Sequence, residues 1–187
     1  MFIYIKKILF RLLQAVSTVY AERKCASFGA GLKVNYPSVF TQRTFIGHDC
    51  HFNGMKIVGK GAVYFGNHVH SGSQILIITQ NHNYYSPDEL PYDEIDIGKD
   101  VVIGDAVWIG SRVIILPGTR IGDGVVIQAG AVVSVNIPDC AVIGGSPVRV
   151  FKYRDINRYN ELLTKGAYVG WKRGKVYDRK TGEDESC

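Results

Sequence analysis

Histidine is the side chain best suited to proton transfer near neutral pH, and this 187-residue sequence contains five of them. Four fall in one stretch of the chain, at His48, His51, His68 and His70. A strand through residues 68–70 would place His68 and His70 on one face, where they could form part of a metal site with His48 or His51. The fifth, His82, is either a solvated loop residue or a candidate for acid–base chemistry.

A six-residue period in aliphatic residues indicates the element that positions these histidines. Every sixth residue from position 97 is β-branched: Ile97, Ile103, Ile109, Ile115, Ile121, Ile127 and Val133. An upstream stretch has the same period, with a one-residue slip after its fifth member: Val34, Phe40, Ile46, Phe52, Val58, Phe65, Ser71 and Ile77. Glycine often follows the periodic residue, as at Gly98, Gly104, Gly110 and Gly122.

Neither a helix, which repeats every 3.6 residues, nor a strand, which repeats every 2, explains this period. Six residues fit one short strand plus one turn, and three such units close a triangular coil. Stacked coils bury columns of aliphatic side chains, while glycine permits the turns. We therefore predict an all-β fold in which residues 28–152 form a parallel β-helix of hexapeptide repeats.

The period fails between Ile77 and Ile97, and the segment 78–96 is polar, aromatic and proline-containing. An excursion from a rigid repeat scaffold is a usual place for function. We therefore expect a functional loop here, with His82 inside it.

Residues 1–27 and 153–187 flank the repeat and are predicted to form an N-terminal amphipathic helix, and a C-terminal helix followed by a polar tail. One side of the N-terminal helix is apolar: Ile5, Leu9, Leu12, Leu13 and Val16. Because lysines and an arginine interrupt residues 2–20, we expect neither a bilayer-spanning segment nor a signal peptide. The helix is expected to pack on its own domain or a neighbouring subunit, or to contact an anionic membrane surface.

The composition limits the class of partner. Hydrophobic residues make up 46% and charged residues 21%, which is typical of a globular domain rather than a disordered chain. A net charge of +5 suits anionic partners such as phosphates, but without a recognised nucleic-acid module we expect no nucleic acid. Four cysteines without CxxC spacing indicate reduced thiols and a cytoplasmic protein.

Five segments carry recognisable motifs: IITQNH (77–82), VVIGDAVWIG (101–110), ILPGTRIG (115–122), VIQAGAVVS (126–134) and GSPVRV (145–150). Together they resemble the left-handed β-helix acyltransferases. Within that family the chain looks most similar to sugar and polysaccharide O-acetyltransferases, including the galactoside and maltose enzymes. The N-terminal helix resembles, less specifically, those of capsule and O-antigen acetyltransferases.

The resemblance implies an acetyl-CoA-dependent O-acetyltransferase that acts on a sugar or bacterial polysaccharide precursor. A hydroxyl is a poor nucleophile until a base removes its proton, and the family's loop histidine, matched by His82, does so in a direct attack on the thioester. Asn53 is an approximate match to the family's active-site asparagine and is the implied acceptor-binding residue, and His70 and Tyr84 are further candidates for the acceptor site. Tyr84 belongs to an aromatic cluster that would either stack on sugar rings or pack the loop.

The resemblance also implies a set of contacts to acetyl-CoA: Trp108, Ser111, Ala129, Ser134, Arg149 and Lys152. The last two are basic, which suits the phosphates of the nucleotide end. The family often has a lysine after the residue that matches Ser134, whereas this chain has Val135.

Family members are usually homotrimers with sites between subunits, so the resemblance implies a trimer. Contact with the inner face of the bacterial plasma membrane through residues 2–20 is a further expectation. Two alternatives stay open: an acyltransferase for a small molecule such as an antibiotic or amino sugar, and a zinc β-helix like the γ-carbonic anhydrases. The histidine spacing of the latter is not evident, so no metal is expected. The sequence identifies neither the acceptor hydroxyl nor the oxyanion donor.

Overall fold

A computed structural model describes residues 2–169, 175–177 and 184–186. The chain forms two compact units, residues 1–156 and 157–187. The first unit holds the β-helix and everything that bears on the candidate site.

The first unit begins with helix α1 (Phe2–Lys24) and continues with short strands. In chain order these are β1 (Ser27–Phe28), β2 (Lys33–Val34), β3 (Thr44–Ile46), β4 (His51–Phe52), β5 (Met55–Val58), β6 (Val63–Phe65), β7 (His70–Ser71), β8 (Ile75–Ile78), β9 (Gln80–His82), β10 (Asp96–Gly98), β11 (Val101–Ile103), β12 (Trp108–Ile109), β13 (Ile114–Ile115), β14 (Arg120–Ile121), β15 (Val126–Ile127), β16 (Val132–Val133), β17 (Ala141–Gly144) and β18 (Arg149–Tyr153).

Three parallel sheets make the sides of the triangular coil. Sheet 1 stacks β1, β3, β6, β11 and β14; sheet 2 stacks β2, β4, β7, β12, β15 and β17; sheet 3 stacks β5, β8, β13 and β16. Each strand pairs in parallel with the strand of the next coil, as Trp108–Ile109 does with His70–Ser71. The predicted all-β, left-handed parallel β-helix is confirmed.

Columns of inward side chains form the core. In sheet 2 the column runs through Phe52, Ser71, Ile109, Ile127 and Ile143, all at most 3% exposed. The outward neighbours of the same strands, such as Trp108, remain accessible. One face of each strand therefore stabilises the fold, and the other is available for binding.

Two residues of the predicted six-residue period, Ile97 and Val58, do not belong to the columns of core side chains. Ile97 is 38% exposed in β10, which pairs antiparallel with β9 outside the coils. In β5 the side chain aligned with Ile77 is Ile57 rather than Val58, so the spacing is five residues from Phe52 to Ile57 and eight from Ile57 to Phe65. Ile57 is 2% exposed, while Val58 is only half-buried.

The two ends of the β-helix have different covers. Helix α1 packs beside β2, where the Val34 N–H donates to Thr18 Oγ1 (3.0 Å) and Gln14 Nε2 donates to Asn35 Oδ1 (2.9 Å). At the other end β18 reverses direction and pairs antiparallel with β17. The expectation that the N-terminal helix packs on its own domain is met, although through its polar side.

The second unit contains the predicted C-terminal helix and part of the predicted tail. Helix α2 (Ile156–Thr164) carries an exposed ion pair between Arg158 and Glu161 (2.6 Å). Strands β19 (Lys175–Tyr177) and β20 (Asp184–Ser186) pair antiparallel, and the other residues from 170 onward lie outside the described part. Among the described helices, none is long and apolar enough to cross a membrane.

Candidate active site

The predicted excursion is a hairpin that leaves the coil after Thr79 and returns at Lys99, where the Lys99 N–H donates to the Thr79 carbonyl (2.8 Å). We call residues 80–98 the arm. Strands β9 and β10 form its stem, with His82 opposite Asp96. The arm therefore presents His82 on a paired strand rather than on a free loop.

The tip of the arm is held by a buried carboxylate. Asp93 accepts hydrogen bonds from the Ile95 N–H (2.9 Å), Asn83 Nδ2 (2.6 Å) and the Asp88 N–H (3.3 Å). Asp93 is 8% exposed, so these bonds are shielded from water. Polar contacts, rather than an apolar core, give the tip its conformation.

Two side chains of the arm fix the imidazole of His82. Its Nδ1 lies 3.2 Å from Asp96 Oδ1, and its ring stacks on Tyr92 with centroids 3.9 Å apart and an interplanar angle of 6°. The His82 side chain remains 50% exposed. A carboxylate at Nδ1 favours the tautomer that carries its proton there, which leaves Nε2 as the acceptor.

Asp96 is itself anchored to the coil. Lys60 Nζ lies 2.8 Å from Asp96 Oδ2, and this hydrogen bond holds the pKa of Asp96 below its ordinary value. Lys60, Asp96 and His82 therefore form a chain of charged and polar contacts from the body of the β-helix to the arm.

The arm overhangs a groove of about 540 Å³ at the corner between sheets 3 and 1. Residues from the arm and from stacked corners line it: Ile78, Asn81, His82, Tyr84, Tyr85, Ile97, Lys99, Leu116, Pro117 and Ser134. Three residues predicted from the sequence, His82, Tyr84 and Ser134, thus meet at one groove. Their mixture of aromatic, aliphatic and polar groups is typical of a small-molecule site.

Other predicted contact residues lie elsewhere in the same chain. Trp108 projects outward from sheet 2 next to His70 and is 57% exposed. Ser111 and Ala129 stack at the corner between sheets 2 and 3, where the Gly130 N–H donates to the Ser111 carbonyl (2.9 Å). Gly110 is required just before this corner, because a Cβ there would lie 2.5 Å from the Ala129 nitrogen.

The predicted residues Asn53, Arg149 and Lys152 are also associated with sheet 2. Asn53 Nδ2 donates to the Ser71 carbonyl (2.7 Å), and Asn53 Oδ1 accepts from Asn35, so its amide is part of a ladder between coils. Arg149 and Lys152 are exposed on β18. Lys152 lies opposite Val142, an outward residue of sheet 2.

The triangular cross-section therefore separates the predicted residues into two groups. The corner between sheets 3 and 1, which carries His82, is the one opposite sheet 2. The groove group is His82, Tyr84 and Ser134. The sheet 2 group is His70, Trp108, Arg149 and Lys152, with Asn53, Ser111 and Ala129 at the corner between sheets 2 and 3.

The four remaining histidines form no common strand face. His68 lies in the turn before β7 with φ 56°, so the prediction that it shares a face with His70 is wrong. His70 instead stacks on His51, with ring centroids 4.5 Å apart. Burial, and then the charge of His70, lower the pKa of His51 to about 4. Within the described residues, no group of three or more His, Cys, Asp or Glu side chains is arranged to hold a metal ion.

The sequence did not identify two residues that support His82, Asp96 and its partner Lys60. Asp96 reaches His82 because β9 and β10 pair antiparallel, and this pairing leaves no six-residue signal. Tyr92, a member of the predicted aromatic cluster, packs on the His82 ring. A hairpin through this segment would have been the available signal, because antiparallel pairing of residues 80–82 with 96–98 places Asp96 opposite His82.

Comparison with known proteins identifies the type of repeat. Residues 100–134 match the family model described as bacterial transferase hexapeptide (six repeats). Galactoside O-acetyltransferase of Lactococcus lactis is 38% identical over 113 residues, which cover 57% of this chain and 54% of that protein. Chloramphenicol acetyltransferase of Morganella morganii is 39% identical over 77 residues, 41% of this chain and 37% of that protein. The chain thus spans about half or less of the length of these curated relatives.

A solved structure extends the match in three dimensions. A hexapeptide-repeat-containing acetyltransferase of Vibrio cholerae, crystallised with acetyl coenzyme A, superposes with a TM-score of 0.66. The match has 26% sequence identity and covers 74% of this chain and 76% of that one. The chain therefore carries the bacterial transferase hexapeptide repeat, and the proteins it resembles are acetyltransferases, as its motifs predicted.

Proposed function

We propose that this protein is an acetyl-CoA-dependent O-acetyltransferase that acetylates a hydroxyl of a sugar or polysaccharide precursor. The observation that carries the proposal is the contact chain from Lys60 through Asp96 to Nδ1 of His82 at the mouth of the groove. The galactoside O-acetyltransferase relative supports a sugar acceptor.

His82 acts as the general base. With its Nδ1–H donated to Asp96, its Nε2 accepts the proton of the acceptor hydroxyl while that oxygen attacks the thioester carbonyl. The new C–O bond forms, the C–S bond breaks, and His82 returns the proton to the departing sulfur. The products are an acetyl ester and the free CoA thiol, and His82 regains its starting state.

The residues of the groove position the acceptor beside His82. Tyr84 and Tyr85 offer aromatic surfaces beside His82 against which a sugar ring can stack. Ile97 and Leu116 offer apolar surface that limits water near the reacting groups. In this proposal Arg149 and Lys152 contact the phosphates of the nucleotide end.

The reaction is tested by following thiol release from acetyl-CoA together with the mass of the products across a panel of acceptors. A gain of one acetyl group on a sugar or oligosaccharide, matched by thiol release, is the expected result. The panel includes chloramphenicol, because a chloramphenicol acetyltransferase is among the relatives. Acetylation of that compound alone would favour the small-molecule alternative, and failure to bind CoA by calorimetry would overturn the proposal.

We further propose that the working site forms between two copies of the chain, in a homotrimer in the cytoplasm. The support is the separation of the groove group from the sheet 2 group across the triangular coil. A neighbouring copy that places its sheet 2 against the groove brings Trp108 of one chain towards His82 of the other. Closed cyclic oligomers produce such interfaces between different surfaces of neighbouring subunits.

Mixed oligomers test this arrangement. His82→Ala and Trp108→Glu are each expected to be nearly inactive alone, while subunits co-expressed in equal amounts regain about one quarter of the sites, each combining one intact His82 and one intact Trp108. Co-expression of His82→Ala with His82→Gln is the matched control and regains nothing. Absence of recovery in mixed trimers would place the whole site within one chain.

A further inference from the structure

Helix α1 meets the coils with its polar and small residues. Ala21 is fully buried, Thr18 accepts the hydrogen bond from the Val34 N–H, and Gln14 donates to Asn35. Because Gln14, Thr18 and Ala21 recur at intervals of three and four residues, they share one side of the helix. The side that packs on its own domain is therefore not the apolar one.

The opposite side of α1 is apolar and exposed. Seven aliphatic residues on it are between 44% and 67% exposed: Ile5, Ile8, Leu9, Leu12, Leu13, Val16 and Val19. Projected at 3.6 residues per turn, they centre directly opposite the side that holds Thr18 and Ala21. We call these seven residues the apolar side of α1. A contiguous exposed apolar surface of this kind marks an interaction site.

The charges of α1 indicate what this surface contacts. Lys6, Lys7 and Arg11 lie in the N-terminal half, and the first acidic residue of the chain is Glu22. In the same projection Lys6 borders the apolar side, while Lys7 and Arg11 lie on the polar side with Thr18. Long basic side chains at the edge and on the polar side of such a helix reach lipid headgroups while the aliphatic residues enter the acyl boundary.

We propose that α1 lies in the surface of an anionic lipid membrane, with its apolar side in the acyl boundary and its basic residues among the headgroups. This attachment goes beyond the proposed catalytic function and does not depend on it. Because α1 also contacts β2, the β-helix is held by its first coil close to the lipid surface.

A second copy of the chain fits the same surface less well. Protein interfaces are depleted in lysine, and an aliphatic interface between copies gains nothing from the cations of the same helix. An anionic membrane gains from both features, since burial of the aliphatic side chains and attraction of the cations add together.

Sedimentation with vesicles tests the attachment. The full-length protein is mixed with vesicles of phosphatidylglycerol and phosphatidylcholine, or of phosphatidylcholine alone. The double variant Leu12→Asp/Val16→Asp alters the centre of the apolar side, and Leu90→Asp places a single negative charge at an exposed leucine of the arm. Lys7→Gln/Arg11→Gln removes two cations from the helix. The oligomeric state of every variant is measured by light scattering.

The wild-type protein and Leu90→Asp are expected to sediment with the anionic vesicles. Leu12→Asp/Val16→Asp should lose about tenfold or more in affinity, because even one aliphatic side chain left outside the acyl region weakens binding by about that factor. Each cation removed should cost about fivefold, and added salt should reduce binding. The oligomeric state should not change.

Three results would overturn the proposal. Wild-type protein that stays in solution with anionic vesicles would exclude the attachment. Equal binding to phosphatidylcholine alone would exclude the role of anionic lipid. Dissociation of the oligomer in Leu12→Asp/Val16→Asp would instead assign the apolar side to an interface between copies.

Discussion

The stacked coils and the arm are held together by different kinds of contact. In the coils, aliphatic side chains such as Ile109 and Ile127 are at most 1% exposed, and interior strands pair with neighbours on both sides. In the arm, Tyr85 and Leu90 are each 92% exposed, and β9 pairs with β10 alone. Contacts to Asp93 and Asp96 hold the arm in place of an apolar core.

Stability and the proposed catalysis therefore depend on different regions of the molecule. Burial of aliphatic columns contributes the free energy of folding, whereas the arm contributes little apolar burial and carries the proposed base. A substitution in the arm should therefore alter turnover with little change in stability, and a substitution in a column should do the reverse.

The largest expected effect is on catalysis in the arm. His82→Ala should lower kcat by about 10²- to 10⁴-fold, because a positioned general base contributes that factor. The denaturant midpoint should stay unchanged, since the side chain is half exposed. Steady-state kinetics and chemical denaturation of the same preparation check both parts. Near-normal turnover in this variant would reject His82 as the base.

The next effect is on stability in the coils. Ile115→Ala should lower the free energy of unfolding by about 2–5 kcal/mol, because Ile115 is fully buried and its loss leaves a cavity. Ile97→Ala makes the same change at another position of the six-residue period, but in the arm, and should cost less than about 1 kcal/mol. Equal losses in denaturant titrations would contradict the division between coils and arm.

Lower pH should weaken the coils through His51. Its pKa is lowered to about 4, so between the ordinary histidine value and pH 4 the unfolded chain binds a proton that the folded chain does not. The free energy of unfolding should therefore fall as pH decreases through this window, by on the order of 1–3 kcal/mol.

Denaturation across this pH range compares His51→Gln with His82→Gln. The first variant should lose most of the pH dependence, with His70 supplying the remainder because burial also lowers its pKa. The second should keep the dependence. An unchanged slope in His51→Gln would show that His51 does not control the acid stability of the coils.

The smallest effect concerns the position of His82. Asp96→Asn keeps the shape of the side chain but removes the charge beside Nδ1, and should lower kcat by about tenfold while KM for acetyl-CoA stays constant. Asp88→Asn, in the same arm but exposed, should leave kcat unchanged. A parallel rise in KM, or a shifted denaturation midpoint, would indicate a structural role for Asp96 instead.

The six-residue period predicted the coils because each inward residue meets the same environment in every coil. It could not identify Ile97 as part of the arm, since an exposed isoleucine at the right spacing looks the same in the sequence. Likewise Val58 continues the count, yet a turn before β5 places Ile57 in the column instead.

The candidate site was only partly predictable. His82 stood out because the period failed around it, and the family motifs indicated Trp108 and Ser134. Lys60 and Asp96 are 36 residues apart in the sequence and meet through an antiparallel hairpin that has no repeat signature. For α1 the sequence predicted an apolar and a basic side, but which side meets β2 depends on the hydrogen bonds of Gln14 and Thr18.

The covers at the two ends of the β-helix have a consequence for solubility. A parallel stack with bare ends presents strand edges onto which further strands can add without limit, as they do in amyloid fibres. Here Thr18 Oγ1 of α1 accepts the hydrogen bond from the Val34 N–H in β2. At the other end β18 pairs antiparallel with β17, whereas another coil would need a parallel strand there. These two contacts therefore oppose end-to-end addition of further copies through sheet 2.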